Sequence, residues 1–414
     1  MKAKLRVLMV ADVSPARPGG GGERMLWEQA WRLAARGHDV RIVSRAPGDG
    51  EAAAEVRQGV RMSPFRVNRR TSVRFAVSSM LAARRAVTRA LREEPADVLH
   101  VHQPFAGYGA LGSRPARHVP TLYSFYSPAP LEYRARRRMT AHHHGGWTGE
   151  LGVVALWAIE RACLRRAGLI HVLSDFSAAQ LWRLYRIPRE RLVRIDGAVA
   201  TDRFRPATDR EAIRQALGLP ANRPVLLSVR NLEARMGLDR LIRALAILAP
   251  DAVGPLLLIG GTGSMRRELE SLSEGLGLRT HVRFLGFIPD EALPLYYQAA
   301  DLFVLPTGEL EGFGLVTVEA LACGTPVLGT PVGATPEILV PLSPALVFRG
   351  LAPEVMADDI CRFLEWRARD PQAHARLREA CRCHAETRYH WDAAIDGLEG
   401  ALTRVVGGGP RRLA

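Results

Sequence analysis

Long apolar runs are missing from this sequence. The longest, residues 151–159, falls far below the ~20 residues that a membrane-spanning helix requires. The apolar stretch near the N-terminus, residues 5–10, is too short for a signal peptide and leads directly into a turn. These absences predict a cytoplasmic protein, with at most a peripheral position at the inner face of the membrane.

Cysteine is scarce, and its five positions follow no pairing pattern: Cys163, Cys323, Cys361, Cys381 and Cys383. An odd, scattered set argues against a disulfide framework and is typical of reduced thiols in a cytosol. Cys381 and Cys383 lie close to His384, but a second pair of ligands is missing, so the sequence indicates no zinc site there.

Acidic residues are outnumbered by basic ones. Lysine and arginine total 57 against 42 aspartates and glutamates, a formal net charge of +15, and nearly all of the excess is arginine. Such a charge favours anionic partners, among them nucleotide diphosphates, acidic lipid surfaces and nucleic acid. It carries no information about the fold.

Two motifs for metals and cofactors are also absent. No Asp-x-Asp occurs at the end of a predicted strand, where it would bind a divalent metal. The glycine-rich segment after the first strand is not the dinucleotide-binding G-x-G-x-x-G, and Ser44 and Arg45 stand where that motif has an acidic residue. We therefore expect neither a bound metal nor a cofactor.

The chain has 414 residues, which is too long for one ordinary core and predicts two domains. Short apolar strands alternate with helices in two successive series. We place the first strands at residues 5–10, 40–43, 97–102, 120–125 and 169–173, and the second at 224–230, 254–260, 281–285, 301–305 and 325–329. This alternation predicts an α/β fold with parallel sheets covered by helices on both faces. The predicted domains are 1–205 and 206–388, followed by a helix at 389–405 that packs back on the first domain and a flexible tail at 406–414.

Four consecutive glycines separate the first strand from the first helix: Gly19, Gly20, Gly21 and Gly22. Because glycine has no Cβ, backbone amides here can approach an anion closely, and the helix N-terminus adds a favourable dipole. The segment is a candidate phosphate-binding loop, and a surface turn is the alternative.

Two glutamates, Glu311 and Glu319, are eight positions apart across the start of a predicted helix. The first falls in a glycine-rich lead-in and the second within the helix, so they can reach different parts of one ligand. Gly312, Phe313 and Gly314 place backbone amides at this helix N-terminus. Carboxylates accept hydrogen bonds from hydroxyls, and backbone amides bind phosphate. The two together suit a sugar diphosphate. Two solvated helix glutamates are the alternative.

This Glu-x7-Glu segment resembles the signature of the family-four glycosyltransferases, which are retaining enzymes of the GT-B fold. The resemblance runs through most of the chain and includes the glycine loop and residues 35–40, 97–101, 204–206, 230–237, 260–263 and 282–288. It implies two Rossmann-like domains facing each other across a cleft, the first for the acceptor and the second for a nucleotide-diphosphate sugar. It further implies transfer of a hexosyl unit to an acceptor hydroxyl, without metal, with the nucleotide sugar as co-substrate. The acceptor, whether a glycan, a lipid-linked sugar or a small molecule, stays open, and nucleic acid is not expected as a partner.

By this resemblance, Glu311 contacts hydroxyls of the donor sugar and Glu319 contacts the ribose hydroxyls. The other implied donor contacts are backbone groups, which come from Gly19–Gly22, Phe287, Ile288, Phe313, Gly314 and Leu315.

The chain departs from the family pattern at two cations that bind the diphosphate. The matching positions hold Asn231 and Met236, while Arg230 and Arg235 precede them by one residue, in a subfamily variant Arg-Asn-Leu-x-x-Arg-Met-Gly. A one-residue shift redirects a side chain, so the choice between the arginines is open. We favour Arg235 as the catalytic cation and place Arg230 second.

Tyr126 occupies the place where the family has a histidine near the donor sugar. A phenol has a pKa near 10 and is a poor proton carrier at neutral pH, but it still donates a hydrogen bond. Ala200 likewise replaces a usual aspartate. The expected catalytic residues are therefore Glu311, Arg235 and Tyr126. A degenerate protein that only binds nucleotide sugars and a GT-B phosphorylase are the rival functions.

Two further segments are basic. Residues 71–92 predict a helix with an apolar stripe of Val73, Val77, Met80, Leu81, Val87 and Leu91 surrounded by arginines. An ordinary surface helix and attachment to an anionic membrane are both open. Arginines at 134–138 and the histidines at 142–144 form a basic loop that would attract an acidic or phosphorylated acceptor; a solvated loop is the alternative.

Overall fold

The computed structural model describes residues 4–15, 20–48, 54–140, 148–248 and 254–408. The chain divides into two compact units. The first comprises Met1–Arg137, Ala141–Asp196 and Ala394–Ala414, and the second comprises Arg138–Thr140 and Gly197–Ala393.

The first unit is built on an eight-stranded sheet in the order β3-β4-β2-β1-β5-β6-β7-β8. Its strands are β1 (Arg6–Ala11), β2 (Asp39–Arg45), β3 (Glu55–Arg57), β4 (Val60–Phe65), β5 (Val98–Val101), β6 (Thr121–Phe125), β7 (Leu169–Val172) and β8 (Leu192–Arg194). All neighbours are parallel except β3 and β4. The central strands are buried along almost their whole length, as expected when helices cover both faces of a parallel sheet.

Helices of this unit follow the strands in alternation. They are α1 (Gly21–Ala35), α2 (Ser72–Glu93), α3 (Pro104–Leu111), α4 (Ala129–Thr140), α5 (Thr148–Arg166) and α6 (Asp175–Tyr185). Local capping fixes two of their starts, because Thr71 accepts a hydrogen bond from the amide of Arg74 and Ser174 accepts one from Ser177.

The second unit has a five-stranded parallel sheet in the order β11-β10-β9-β12-β13. The strands are β9 (Val225–Val229), β10 (Leu256–Gly260), β11 (Val282–Gly286), β12 (Leu302–Leu305) and β13 (Val327–Gly329). Its helices are α7 (Arg210–Ala216), α8 (Leu238–Leu248), α9 (Arg266–Gly275), α10 (Leu293–Ala299), α11 (Leu315–Ala322), α12 (Thr335–Leu339), α13 (Pro353–Arg369) and α14 (Pro371–Arg388).

The boundary between the units falls nine residues earlier than the predicted 205/206, between Asp196 and Gly197. Residues 197–205 group with the second unit because they pack there. The amide of Val199 donates to the carbonyl of Tyr389 at 2.8 Å, and the Phe204 ring lies edge-on to Tyr297 with centroids 6.0 Å apart.

The last helix, α15 (Trp391–Gly407), begins and ends two residues after the predicted 389–405. Residues from Ala394 onward belong to the first unit. Arg36, just after α1, donates to Asp396 at 2.5 Å, and Nε2 of His38 lies 3.2 Å from Glu399. Residues 409–414 of the predicted tail lie outside the described residues.

Candidate functional site

The carboxyl ends of the five strands of the second sheet meet at one edge, where α/β proteins of this kind bind ligands. Predicted site residues follow three of these strands. Arg230 follows β9, the segment with Phe287 and Ile288 follows β11, and Glu311 lies in the loop after β12. A glycine-containing turn, residues 261–263, follows β10.

Glycines hold the backbones of Arg230 and Glu311 close to neighbouring loops. Gly261 has φ +123°, and a Cβ added there would lie 1.9 Å from the carbonyl oxygen of Arg230. Gly333 has φ +63°, and its Cβ would lie 2.1 Å from the carbonyl oxygen of Glu311. No side chain fits at either position, so these turns require glycine.

Arg230 and Glu311 form a buried ion pair. Nη2 of Arg230 lies 2.6 Å from Oε2 of Glu311, and the Thr307 hydroxyl donates to the same oxygen at 2.9 Å. The exposed fractions are 9% for Arg230 and 7% for Glu311. Within the described ranges, Nε of Arg230 is enclosed and has no hydrogen-bond partner. A charged pair with a spare buried donor can bind a polar, anionic ligand.

Met236 also contacts this pair, because Nη2 of Arg230 lies 2.8 Å from its sulfur. Arg235 contacts the same loop differently. Its half-buried guanidinium donates from Nη1 to the carbonyl of Leu310 at 3.2 Å, and its own carbonyl accepts from the amide of Gly308 at 2.7 Å. Both arginines therefore lie beside the Glu311 loop, one against its side chain and the other against its backbone.

Glu319 lies in α11, which begins after Gly314 in a left-handed conformation with φ +93°. The Glu319 side chain is buried, and Oε2 accepts a hydrogen bond from the Tyr297 hydroxyl at 2.9 Å. The Phe313 ring is buried against Tyr389, with ring centroids 5.7 Å apart. Phe313 therefore packs with its side chain, and its predicted ligand contact concerns the amide.

The two residues after β11 point in opposite directions. Phe287 is 61% exposed, whereas Ile288 is buried and its side chain fills the space where a Cβ on Gly260 would lie. An exposed aromatic ring at this edge provides a surface on which a nucleobase can stack.

In the first unit, Gly20 is the N-cap of α1, and Gly21 and Gly22 form its first residues; Gly19 lies outside the described residues. Glu23 is an acidic residue in this first turn, and its Oε2 would lie 2.9 Å from a Cβ on Gly20. A carboxylate at this helix end competes with an incoming anion. The arginines at 134–138 were predicted to lie in a loop but are part of the helix α4, since residues 131–138 contain good helix formers and neither glycine nor proline. The histidines at 142–144 lie outside the described residues.

Tyr126 follows β6 and lies beside a buried group of histidine side chains. Its hydroxyl lies 2.7 Å from Nδ1 of His102, which follows β5. Burial lowers the pKa of His102 to about 3 and raises the pKa of Tyr126. Both groups are therefore neutral at pH 7 and can hydrogen-bond but not carry charge. Nε2 of His102 is enclosed and has no partner among the described residues.

Next to this pair, a row of hydrogen-bonded side chains runs across β5, β6 and β7. Nε2 of His100 lies 2.7 Å from Oγ of Ser124, which lies 2.8 Å from Nδ1 of His171. Nε2 of His171 lies 3.0 Å from the carbonyl of Ile195. Sequence reasoning missed all three histidines. The available signal was the alternation His100-Val-His102 at the end of a strand, which places both rings on one face.

Two buried carboxyls of the first unit were also missed. Asp12, after β1, accepts from the Ser79 hydroxyl at 2.7 Å and from the amide of Ala106 at 2.9 Å, and burial raises its pKa. Glu160 of α5 is contacted by the Tyr185 hydroxyl and accepts from the amide of Ala129 at 3.1 Å. Burial raises the pKa of Glu160 to about 8.

Two kinds of feature are absent from the described ranges. No helix there combines the length and apolar character needed to cross a membrane. No group of three or more histidine, cysteine, aspartate or glutamate side chains there is arranged to hold a metal ion.

Comparison with known proteins matches both parts of the chain to glycosyltransferase families. Residues 19–203 match the family model described as Glycosyltransferase Family 4, and residues 209–382 match the one described as Glycosyl transferases group 1. The D-inositol 3-phosphate glycosyltransferase of Acidothermus cellulolyticus is 30% identical over 95% of this chain and 89% of its own length. The GDP-mannose-dependent alpha-(1-6)-phosphatidylinositol monomannoside mannosyltransferase of Mycolicibacterium smegmatis is 31% identical over 63% of this chain and 69% of its own.

A solved structure shows the same fold. The sucrose-phosphate synthase of Thermosynechococcus elongatus superposes with a TM-score of 0.83 at 23% identity, over 98% of this chain and 100% of that one. The two α/β units with parallel sheets are thus those of the GT-B fold. The relative that matches 95% of this chain and the two family matches show that the chain is a glycosyltransferase and belongs to glycosyltransferase family 4.

Proposed function

We propose that this enzyme transfers a hexosyl unit from a nucleotide-diphosphate sugar to an acceptor hydroxyl, with retention of anomeric configuration and without a metal ion. The observation that carries the proposal is the buried Arg230–Glu311 pair, with Glu319 on the adjoining helix, at the ligand-binding edge of the second sheet.

The donor is assigned to this edge by chemistry. Glu319 accepts hydrogen bonds from the ribose hydroxyls, and Glu311 accepts them from hydroxyls of the sugar. The backbone amides of Phe313, Gly314 and Leu315 contact the sugar or the diphosphate. Phe287 and Ile288 lie in the segment proposed to contact the base. Gly20–Gly22 are proposed as a second diphosphate contact, a weaker one because Glu23 lies at the same helix end.

In the reaction, the bond between the anomeric carbon and the diphosphate oxygen breaks, and a bond from the acceptor oxygen to that carbon forms on the same face. The acceptor proton passes to the departing diphosphate. Arg235, with Arg230 second, stabilises the negative charge that grows on the leaving group. Tyr126 stays protonated and hydrogen-bonds a substrate hydroxyl; its neutral partner His102 holds the phenol in place.

A thermal-shift screen of UDP, GDP, ADP and dTDP sugars identifies the donor. GDP-mannose is included because a relative is named as dependent on it, and inositol 3-phosphate is included as an acceptor for the same reason. NMR of the product then gives the anomeric configuration. An inverted product contradicts the retaining mechanism, and loss of transfer in chelator that manganese restores contradicts metal independence.

A protein that binds nucleotide sugars without turnover is the second candidate. Tyr126, Asn231, Met236 and Ala200 favour it, since each replaces a residue that the family uses. Donor binding without transfer or hydrolysis, over a panel of acceptors, would support it. The relatives quoted above are transferases by name, so we do not propose a phosphorylase.

A further inference from the structure

The outer face of α2 exposes an apolar row that the core does not use. The predicted stripe divides in the structure: Val87 and Leu91 are buried in the core of the first unit. Val73, Val77 and Leu81 are instead 73%, 46% and 48% exposed. Their i, i+4, i+8 spacing places them on one face of the helix, because residues four apart are neighbours along a helix surface.

Arginines continue the same face, with Arg74 at the start of α2 and the others toward its end. Arg74, Arg84, Arg85, Arg89 and Arg92 are all exposed, and Glu93 is the helix's single acidic residue. Within the described part of the chain, none of these five guanidiniums forms an ion pair. Their charge is therefore available to a partner.

Four of these arginines, together with Glu93, line a depression of about 710 Å³. Arg84, Arg85, Arg89 and Arg92 line it from α2, and Arg114 lines it from the segment before the turn Pro115–His118. Leu81 lies at its rim and belongs to the apolar row as well. The apolar row and the basic depression thus form one continuous surface.

We propose that this surface of α2 docks on an anionic membrane. An interfacial helix needs an apolar face that enters the boundary between headgroups and acyl chains, with cations positioned at the headgroup phosphates. The 22 residues of α2 span about 33 Å, long enough to contact several lipids. Lipid phosphates occupy the arginine-lined depression while Val73, Val77 and Leu81 insert.

Charge and side-chain type together favour a membrane over nucleic acid. Five arginines attract either polyanion. Exposed aliphatic side chains, however, gain nothing from a phosphate backbone, and Phe75, the one aromatic residue of α2, packs against Phe105 with ring centroids 6.0 Å apart. The aliphatic row is stabilised only in an apolar medium.

The test is co-sedimentation of the full chain with vesicles of phosphatidylcholine, with and without 30 mol% phosphatidylglycerol (about a third anionic lipid). We expect binding to the anionic vesicles alone, weakened by salt. The double change Arg84→Ser with Arg85→Ser should lower the partition coefficient about 30-fold, because each arginine contributes a factor of about five. Val77→Asp with Leu81→Asp should lower it more than tenfold, because charged groups then face the acyl boundary.

Matched controls carry equal changes elsewhere. Arg243→Ser with Arg376→Ser removes two exposed arginines of the second unit, and Val56→Asp with Ile247→Asp changes two other exposed aliphatic residues. Neither pair should alter vesicle binding, and melting temperatures confirm that every variant is folded.

Four outcomes would overturn the proposal, three of which concern the vesicles, the control pairs and self-association. These three are absence of binding to anionic vesicles, equal losses in the control pairs, and a dimer in solution that Val77→Asp with Leu81→Asp dissociates. Preference for RNA or DNA over vesicles at matched charge would also refute it. Donor turnover with a water-soluble acceptor should be unchanged in all these variants, so this test is independent of the proposed reaction.

Discussion

Arg235→Ala tests which cation stabilises the leaving diphosphate. The Arg235 guanidinium is half-buried and hydrogen-bonds the carbonyl of Leu310, so its truncation should cost ~1 kcal/mol of folding free energy. Charge on the diphosphate grows in the transition state, so the nearest cation acts on kcat more than on donor affinity. By comparison with removal of one oxyanion donor, we expect a barrier higher by ~2–4 kcal/mol, or about 30- to 1,000-fold in kcat.

Arg230→Ala should act differently. It leaves the buried carboxylate of Glu311 without its ion-pair partner, and breaking a buried pair costs ~3–5 kcal/mol of stability. Its main effect should therefore be on the folded fraction and on donor affinity. Arg230→Ala with Glu311→Ala should recover much of the lost stability, because no unpaired charge remains.

The assay combines urea unfolding with steady-state kinetics at saturating donor, with kcat expressed per folded enzyme. Arg235→Lys should restore part of the activity, since a point charge cannot copy the planar guanidinium. A larger loss of kcat in Arg230→Ala than in Arg235→Ala would refute the assignment and place Arg230 on the diphosphate. If neither variant lowers kcat, backbone amides hold the diphosphate.

Three further predictions concern other buried groups. Glu319→Ala should weaken nucleotide binding by ~1.5–3 kcal/mol, about 10- to 150-fold, with little change in kcat; unchanged affinity by calorimetry in a folded variant would contradict the ribose contact. Tyr126→Phe should lower kcat about threefold to tenfold, the worth of one neutral hydrogen bond. His102→Ala should do the same, and the double variant should be no worse than either, because the two act as one unit; additive losses in kinetics would separate them. For Glu160, the folded-state pKa of about 8 exceeds its ordinary value of 4.5, so folding favours the protonated carboxyl and stability falls as pH rises from about 5 to 8. Glu160→Gln should flatten that part of the melting-temperature profile, and an unchanged slope would show that the carboxyl titrates normally.

The second sheet was predictable and the first only in part. Each strand of the second sheet is a short apolar run bounded by turn residues, and the predicted ends agree within two residues. In the first unit, β3, β4 and β8 were missed. β4 contains Pro64 and alternates apolar with polar residues, and β3 is fully exposed. Such strands are defined by their neighbours in the sheet rather than by their own apolar content.

The candidate site was predictable where a contiguous motif carries it. Glu311 and Glu319 stand in one segment, and resemblance pointed to both. The pairing of Tyr126 with His102 joins residues 24 positions apart, each just after one of two neighbouring strands. No local pattern encodes that contact, because strand order decides which carboxyl ends become neighbours. The burial that makes these side chains neutral is equally invisible in the sequence.

The departures at Asn231 and Met236 look like losses when each is compared singly with the family pattern. In the structure, Met236 instead supports the shifted arginine, because its sulfur lies 2.8 Å from Nη2 of Arg230 and the same nitrogen reaches Glu311. A lysine at 236 would bring a second positive charge against this buried guanidinium, which is unfavourable at low dielectric. Arginine at 230 and methionine at 236 are thus compatible with each other. Arg230 therefore keeps a positive charge beside Glu311 although methionine stands at 236.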